Sequence, residues 1–371
     1  MADVLVLNNR KPYFFVEFVD IIFEEVEEHH DVTRLDREGS VLDTTRAFVT
    51  AFLWERPDAA VVVGSGFATF WVTLIGRILP STDVVFFHND FTYQYYRDFT
   101  EDAWLRTQVE RLQEGGPLRL CDAVWTLTPY QEDYLREKKG ISKPFIRVPH
   151  GVDVDEFRPD VEGHDEVREE LDLDEDTLAV GVVGTFNRSD KHDIVYGWTI
   201  LRALAELDDD DDDVVGVLVG SGDAMKYIRE RAEELGISDR LILTGHVQHD
   251  RLPAYLAALD ATVLAKQDHP IDKMTTTMKL PEYLAAGTYP IVDDHAYAQT
   301  ILDHDVVGVL PFEGIKDEAF PGRLADHLRL LLDDRERLRA GQRHARAVAE
   351  ERFDYETLQT EMREELESLL A

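Results

Sequence analysis

The sequence predicts an α/β protein in which two consecutive Rossmann-like domains each form a parallel sheet covered by helices. Two observations lead to this prediction. A chain of 371 residues is too long for one ordinary core, and its 44% apolar residues are enough for two. Short apolar runs also alternate with longer amphipathic stretches, as buried parallel strands alternate with crossover helices.

The apolar runs form two series that are separated by an irregular segment. Between them, Gly151, Pro159 and Gly163 interrupt regular structure, so a linker is expected near residues 150–165. Leucines at helical spacing predict helices from Leu324 onward. The predicted strands cover residues 4–7, 60–63, 84–87, 123–127 and 145–148 in the first series, and residues 179–183, 214–219, 241–243, 261–264 and 290–292 in the second.

The charge of the chain restricts its partners. A formal charge of −36, from 75 acidic and 39 basic residues, argues against nucleic acid as a general partner, because phosphate backbones require a positive surface. Acidic residues are spread along the chain, apart from a run at 208–213, which is typical of a halophile-type protein in a salt-loaded cytoplasm. At about 1 M salt the Debye length is about 3 Å, so an anionic ligand would feel only the cations that touch it.

The cysteine content and the N-terminus exclude further classes of protein. A single cysteine, Cys121, rules out an intramolecular disulfide and a cysteine-based metal cluster, and its apolar neighbours indicate a core position. The N-terminus has no basic region before its apolar run, so no secretory signal is predicted and a cytoplasmic location is expected. The acidic run at 208–213 lacks the alternating ligands of a calcium loop.

One uncharged stretch, residues 59–76, is near the lower length limit for a membrane span. A glycine-containing break at residues 64–66 divides it into a strand and a helix, which favours a buried βα unit. A shallow membrane-docking helix is the alternative. It would also use an aromatic cluster that helical spacing more often places in a core, namely Tyr93, Tyr95, Tyr96, Phe99 and Trp104.

The stretch MTTTMKLPEYLAAGTYPIV, residues 274–292, predicts a short helix at about 280–286. Pro281 suits a first helical turn, and Gly287 suits a helix stop. The positive end of this helix would offer backbone N–H groups to an anion, with the charge of Lys279 added in the same place. The N–H groups in question lie around Thr276, Thr277 and Met278.

Glu282 follows Lys279 by three residues, so both side chains can face one ligand. A carboxylate can accept hydrogen bonds from the two hydroxyls of a ribose, which together with a phosphate at the helix end describes a nucleotide. In the alternative interpretation, Glu282 only stabilises the helix dipole and Lys279 pairs with a surface acid. The start of the second series, VGVVGTFNRSDKHD, ends a strand at Gly184 and adds two cations suited to a diphosphate, Arg188 and Lys191.

In these segments the chain resembles a family 4 glycosyltransferase of the GT-B architecture, from about residue 120 to its end. The resemblance also rests on PHGVDVDEFRP, VLVGSGD, LTGHV and ERFDYETL in this order. It implies two Rossmann-like domains facing a central cleft. The N-terminal acceptor domain would cover residues 1–155 and be completed by a terminal helix at about 350–371, and the donor domain would cover residues 165–345.

The resemblance also assigns residues, most of them in the donor domain. Glu282 matches a glutamate that holds the ribose, and Lys191 matches a lysine that grips the diphosphate. Thr185 replaces an arginine expected directly after Gly184, so Arg188 is a plausible stand-in. Residues 245–247 match the loop beside the base, which includes Val247. Met274 stands where a second glutamate is often found, with Asp272 or Lys273 as substitutes.

In the first domain, VVFFHND is similar to a strand end that delivers a histidine to the sugar and phosphate, which makes His88 a catalytic candidate beside Arg188 and Lys191. The usual glycine-rich loop after the first strand is replaced by NNRKPYFF. The implied mechanism is electrostatic: the cations stabilise charge on the departing diphosphate, and no protein nucleophile is required.

The predicted function is therefore transfer of a hexose-type sugar from a nucleotide diphosphate sugar to a glycan, lipid or small-molecule acceptor. Retention of configuration is expected, without a metal or other cofactor. The acceptor would be met in the cytoplasm or, if lipid-linked, at the inner face of the cell membrane. Two alternatives stay open, a non-catalytic GT-B partner subunit and a sugar-nucleotide-processing enzyme of the same fold. The base, the sugar, the acceptor and the oligomeric state are not predicted.

Overall fold

The computed structural model describes residues 1–10, 15–79, 81–89, 91–99, 104–189, 194–208, 213–265, 277–294, 297–313 and 317–371. These residues divide into two compact units. The first contains residues 1–151 and 355–371, and the second contains most of residues 152–354. Each unit is built on one six-stranded sheet in which all neighbouring strands are parallel. The predicted fold class of two Rossmann-like domains is confirmed.

The first unit has the strand order β2-β1-β3-β4-β5-β6. Its elements are β1 (Asp3–Asn8), α1 (Phe15–Ile22), α2 (Glu24–His29), β2 (Asp31–Asp36), α3 (Val41–Glu55), β3 (Ala59–Val63), α4 (Phe67–Ile78), β4 (Asp83–Phe87), α5 (Thr92–Phe99), α6 (Trp104–Leu120), β5 (Ala123–Thr126), α7 (Pro129–Lys139) and β6 (Phe145–Arg147).

The second unit has the strand order β11-β10-β7-β12-β13-β14 and a two-stranded hairpin, β8-β9. Its elements are α8 (His164–Glu170), β7 (Leu178–Val183), β8 (Arg188–Ser189), β9 (Ile194–Val195), α9 (Trp198–Ala205), β10 (Val214–Val219), α10 (Met225–Leu235), β11 (Leu241–Gly245), α11 (Leu252–Ala257), β12 (Ala261–Leu264), α12 (Lys279–Ala285), β13 (Tyr289–Asp293), β14 (Gly308–Leu310), α13 (Phe320–Asp333) and α14 (Arg335–Arg352). The last helix, α15 (Tyr355–Leu370), returns to the first unit.

The core of the first unit includes residues of the last helix, α15. Trp125 of β5 stacks on Phe87 of β4 with ring centroids 3.8 Å apart, and Phe18 of α1 packs against both rings. Leu358 and Met362 of α15 are buried in the same cluster. Helix α15 contacts α1 and α2, so the terminal helix crosses back to the first unit as predicted.

Four strands were not predicted from the sequence. Strand β2, with the sequence DVTRLD, lies at a sheet edge and is only partly buried, so it lacks a continuous apolar run. Strand β14 has only three residues, and the hairpin β8-β9 has two residues per strand. Such short elements carry too few residues for a periodic signal.

The structure confirms the prediction for Cys121 in full and the prediction for the uncharged stretch at 59–76 in part. Cys121 is fully buried, and burial raises the pKa of its thiol to about 12, which confirms the predicted core position. The stretch forms β3 and most of α4, as predicted, but Phe67 and Trp71 of α4 are exposed, so this βα unit is not entirely buried. No helix in the described ranges is long and apolar enough to span a membrane.

The predicted burial of the aromatic cluster is wrong for at least two of its members. Trp104 is 73% exposed and Tyr95 is 54% exposed. Helical spacing places aromatic residues on one face of a helix, but it does not determine whether that face meets the core or the solvent. The side chain of Phe99 lies outside the described part of the structure.

Helix α12 ends as expected at Gly287, which has φ of +69°. The Thr288 N–H donates to Tyr283 O at 3.2 Å and the Gly287 N–H to Leu284 O at 3.0 Å, which is the Schellman arrangement. A Cβ on Gly287 would lie 2.5 Å from Cγ of Pro159 in the predicted linker. Gly287 is therefore required both for its backbone conformation and for its contact with Pro159.

We expect Gly287→Ala to lower the free energy of unfolding of the second unit by about 2 to 4 kcal/mol, because strain in the left-handed region adds to an overpacking cost. The matched control is Gly236→Ala, since Gly236 also follows a helix with φ of +71° but has nothing within 4 Å of its Cβ position. The control should lose only about 1 kcal/mol. Urea unfolding at high salt measures the free energy of unfolding of both variants. Equal losses would contradict the claim that the contact with Pro159 adds to the cost.

Candidate functional site

The order of the strands places a candidate site at the carboxyl ends of β7 and β12. Strand β7 pairs with β10 on one side and with β12 on the other, so the chain reverses its direction of winding between β7 and β12. Ligands of open parallel sheets bind at such a switch point. Gly184 follows β7 directly, and α12 is the described helix that follows β12.

The loop after β7 is fixed by backbone contacts with the loop after β10. The Gly184 N–H donates to Val219 O at 3.0 Å, and the Phe186 N–H donates to Ser221 O at 3.0 Å. A Cβ on Gly220 would lie only 2.1 Å from the carbonyl oxygen of Gly184. Glycine in the segment VGSGD is therefore needed so that the two loops can approach each other.

Lys279, the first residue of α12, lies against the end of β7. Its Nζ donates to Tyr196 Oη at 2.8 Å and lies 4.3 Å from the centroid of the Tyr196 ring. A Cβ built on Gly184 would be 2.8 Å from the same Nζ. The structure thus brings together two predicted site residues that are far apart in sequence, Gly184 and Lys279.

Two tyrosines hold this arrangement. Tyr196 Oη donates to Val183 O at 3.2 Å, and the Val183 N–H donates to Tyr283 Oη at 2.8 Å. Burial raises the pKa of both phenols, so both are neutral near pH 7. A neutral Tyr196 accepts a hydrogen bond from Lys279 without neutralising its charge. The ammonium group therefore stays positively charged in this hydrogen bond.

Glu282 lies one turn further along α12 and is partly buried. Burial raises the pKa of its carboxyl group to about 7. Lys279 opposes this effect, and repulsion by Glu156 adds to it. The carboxyl group is therefore partly protonated at neutral pH. Pro281 lies in the first turn of α12, as predicted, and the helix begins one residue earlier than expected, at Lys279.

The predicted N–H cluster at the start of α12 is only partly described. The N–H groups of Lys279 and Leu280 point back to Thr277, to its Oγ1 at 3.4 Å and its carbonyl oxygen at 3.2 Å. Met278 is the N-cap residue and has no side-chain cap. Thr276 lies outside the described residues, so its place in an anion site stays a prediction.

Arg188 is held at a different point of the same edge. Its N–H donates to Asp223 Oδ1 at 3.0 Å, and its exposed guanidinium group lies 4.3 Å from the centroid of the Tyr227 ring. Thr185 is exposed between Gly184 and Phe186, and Val247 is partly buried against the core of the unit. Lys191 and Met274, with Asp272 and Lys273, lie outside the described residues.

In the first unit, His88 follows β4 and is fully buried. The side-chain N–H of Gln131 donates to Nδ1 of His88 at 2.9 Å and also to its carbonyl oxygen, while Gln131 Oε1 accepts from the Leu127 N–H at 2.8 Å. Because Nδ1 accepts, this geometry favours the neutral tautomer with its proton on Nε2. His88 Nε2 lies 3.5 Å from Glu114 Oε1 and has no hydrogen-bond partner among the described residues.

Glu114, which the sequence analysis did not single out, is fixed by the start of α5. Its Oε2 accepts from the Tyr93 N–H at 2.8 Å and from Thr92 Oγ1 at 3.2 Å. Its signal in the sequence was weak, because Glu114 lies inside a helical pattern and only the fold brings it to His88. Tyr196 and Tyr283 were also missed, because only the fold brings them to Val183.

Arg10, within the segment that replaces a glycine-rich loop, was also missed. Its guanidinium donates to Asn89 Oδ1 at 2.9 Å, and a Cβ on Gly64 would lie 2.9 Å from its Nε. Asn9 Nδ2 donates to Ser65 O at 3.0 Å. The sequence did contain a signal for this site, because polar side chains follow β1 directly. Strands β1 and β3 lie at the switch point of this sheet, where ligands usually bind.

The match to a known protein family falls within the second unit. Residues 164–348 match the family described as Glycosyl transferases group 1. A curated relative from Mycobacterium tuberculosis, GDP-mannose-dependent alpha-(1-6)-phosphatidylinositol monomannoside mannosyltransferase, is 26% identical over 234 residues. The match covers 62% of this chain and 57% of that protein. Mannosylfructose-phosphate synthase from Agrobacterium fabrum is 25% identical, with 56% of this chain and 48% of the relative covered.

Solved structures share the fold over almost the whole chain. Sucrose-phosphate synthase from Thermosynechococcus elongatus has a TM-score of 0.72 at 17% identity, covering 99% of this chain and 98% of that one. Anabaena Alr3699/HepE, solved with UDP and glucose, has a TM-score of 0.70 at 16% identity and covers 99% and 100%. The fold is that of GT-B glycosyltransferases, and residues 164–348, which make up most of the second unit, match the family of Glycosyl transferases group 1.

Proposed function

We propose that this protein transfers a hexose-type sugar from a nucleotide diphosphate sugar to an acceptor, with retention of configuration and without a metal ion. The observation that carries the proposal is the contact of Lys279 with Gly184 at the switch point of the second sheet. The family match and the names of the relatives, which include a mannosyltransferase and a mannosylfructose-phosphate synthase, support the reaction class.

The donor would lie across the ends of β7 and β12. Lys279 would neutralise phosphate oxygens, helped by Lys191 and Arg188, and the Glu282 carboxylate would accept hydrogen bonds from the ribose hydroxyls. The loop at Val247 would lie beside the base. These cations stabilise the charge that grows on the departing diphosphate, and they do so more strongly where water is excluded.

His88 would act on the sugar or on the phosphate next to it. Its Nε2–H faces Glu114 at 3.5 Å, a distance that leaves the proton poorly used by the protein itself. We propose that this N–H group donates a hydrogen bond to a ligand oxygen when the site is occupied, and that the proton stays on Nε2. Glu114 then keeps the histidine ring oriented.

The acceptor is proposed to be a glycan, a lipid or a small molecule, met in the cytoplasm or at the inner face of the cell membrane. A second candidate function is that of a non-catalytic partner subunit. It is favoured by Arg10, whose side chain packs on Gly64 where related proteins carry a glycine-rich loop. Both functions retain a nucleotide, so catalysis decides between them.

A screen of nucleotide sugars for thermal stabilisation tests the proposed function. A ligand at about 100 times its dissociation constant stabilises the folded state by about 2.7 kcal/mol. The nucleotide sugar that stabilises most should also be hydrolysed slowly without an acceptor, and His88→Ala should bind it but lose most of this hydrolysis. Binding without any turnover would support the partner subunit, and no binding by any nucleotide sugar would contradict both functions.

Replacement of Lys279 tests the phosphate contact. We expect Lys279→Gln to weaken binding of a nucleoside diphosphate by about tenfold to a hundredfold, because a charged hydrogen bond contributes about 1.5 to 3 kcal/mol. The matched control is Lys226→Gln, since Lys226 is 87% exposed on α10 and pairs with Glu230. Calorimetry at high salt measures both. Equal affinities for the two variants would place the diphosphate elsewhere.

The raised pKa of Glu282 predicts a pH dependence of stability. The folded protein holds this proton up to about pH 7, whereas an unperturbed carboxyl releases it near 4.5, so burial of the charged form destabilises the fold increasingly through this range. Glu282→Gln should therefore raise the free energy of unfolding at about pH 8 by on the order of 1 to 3 kcal/mol, with little change near pH 5. Urea unfolding of Glu233→Gln, an exposed control, should show no such difference between the two pH values.

The same pKa predicts how a nucleotide binds. Since the ribose hydroxyls donate to the charged carboxylate, affinity for a nucleoside diphosphate should increase as the pH rises from about 6 to about 8. Glu282→Gln should bind more weakly and lose this increase. An unchanged pH profile in the variant would assign the ribose to another residue.

A further inference from the structure

Large apolar side chains are exposed almost only on the first unit. In the described part of the chain, every such side chain except Leu330 belongs to this unit. Three tryptophans are among them, Trp54, Trp71 and Trp104. Single exposed apolar residues are ordinary, but a concentration of tryptophans on one unit requires an explanation.

Helix α4 is apolar on its outer side as well as on its inner side. Phe67, Trp71 and Ile78 follow one another at helical spacing and are 42%, 45% and 67% exposed. The opposite side is buried, including Val72 and Gly76. A helix that is apolar all round is normally covered on both sides, so the outer side of α4 is suited to a contact outside this unit.

Helix α6 adds cations to the same type of surface. Its exposed residues include three large apolar side chains, Trp104, Leu105 and Leu112, and three arginines, Arg106, Arg111 and Arg119. Neither of the two acidic residues of α6 is exposed: Glu114 is buried near His88, and the side chain of Glu110 is only 14% exposed and lies 3.7 Å from the Arg106 guanidinium. The outer side of α6 therefore has no exposed acidic residue, in a chain with 75 acidic residues.

The two helices lie side by side. A Cβ on Gly116, near the end of α6, would be 2.6 Å from the ring of Phe70, near the start of α4, so the two helices pack against each other. Their outer sides form the surface called here the α4–α6 face. It consists of Phe67, Trp71 and Ile78 with Arg77 from α4, and of Trp104, Leu105, Leu112, Arg106, Arg111 and Arg119 from α6.

We propose that the α4–α6 face docks onto a lipid bilayer that contains anionic headgroups. This face combines tryptophan and leucine with arginine and contains no acidic residue. Helices that lie in the membrane interface have the same composition. The apolar side chains would enter the boundary between headgroups and acyl chains, and the arginines would contact lipid phosphates. This inference concerns a surface of the first unit, whereas the candidate donor site belongs to the second, and it does not depend on the proposed transferase activity.

Charge argues for a membrane rather than for a second copy of the chain. A symmetric contact between two α4–α6 faces would bring arginines from both copies together, and like charges in a contact are unfavourable. A bilayer with anionic lipids supplies the opposite charge. At high salt the charges are screened, so the apolar residues should then carry most of the binding.

Flotation of the full-length protein with vesicles tests the proposal. The vesicles contain phosphatidylcholine alone or with phosphatidylglycerol, at low and at high salt. We expect the protein to float with the anionic vesicles, and the double variant Trp71→Gln/Trp104→Gln to reduce the bound fraction roughly tenfold. Both side chains are exposed, so circular dichroism should show an unchanged fold.

The matched control is Trp54→Gln on α3. Trp54 is 87% exposed but lines a groove with Asp43 and Glu55, outside the α4–α6 face. This variant should float like the wild-type protein. Arg106→Gln/Arg111→Gln should weaken binding to the anionic vesicles at low salt and change it little at high salt.

Three outcomes would overturn the proposal. The wild-type protein could fail to float with any vesicle, the double tryptophan variant could float normally, or Trp54→Gln could lose as much binding as the double variant. Sedimentation velocity without vesicles adds a further test. A dimer that depends on concentration and disappears in the double variant, without flotation of the wild-type protein, would assign the face to a second copy of the chain.

Discussion

The contact of Lys279 with the end of β7 is the interaction on which the candidate donor site depends. Helix α12 has only seven residues, and by itself it could present its first side chain in many directions. Tyr196 fixes the ammonium group by a hydrogen bond of 2.8 Å and by its ring, and Tyr283 fixes the backbone of Val183 from the other side. Both tyrosines are in turn held by burial, so the position of one charge depends on the core of the second unit.

The position of this charge is especially important for anion binding in a chain with a formal charge of −36. A distant excess of negative charge repels a diphosphate at low salt, and at high salt neither distant attraction nor distant repulsion extends far. Cations in direct contact are then the main source of electrostatic binding energy. Lys279 and the arginines of the α4–α6 face are alike in this respect, because each would act on a ligand only through direct contact.

Local features of the site could be predicted from the sequence, whereas contacts between distant segments could not. Pro281 and Gly287 determine the start and the end of α12 through their own backbone preferences, so the helix was predicted to within one residue. The contact between Lys279 and Gly184 joins residues 95 positions apart and depends on Tyr196, which no local pattern marks. His88 was found only through the resemblance to a family, and its neighbour Glu114 was found only in the fold.

Burial was the other property that the sequence did not determine. Periodicity identified α4 and the aromatic residues near α6 correctly as helical, but it assigned Trp104 to a core that it does not reach. The same apolar period is produced by a side that faces a sheet and by a side that faces a membrane. Charge could have separated the two, because the exposed positions of α6 exclude acidic residues although the chain as a whole is rich in them.

Arg10 shows how a departure from a family pattern can change the chemistry of a site. A glycine-rich loop leaves open space and backbone N–H groups beside a ligand, whereas Arg10 fills the space above Gly64 and reaches Asn89. A ligand that approaches the ends of β1 and β3 therefore meets a guanidinium group with a rigid fork of donors. Such a group favours a planar anion, a carboxylate or a phosphate, over a neutral hydroxyl.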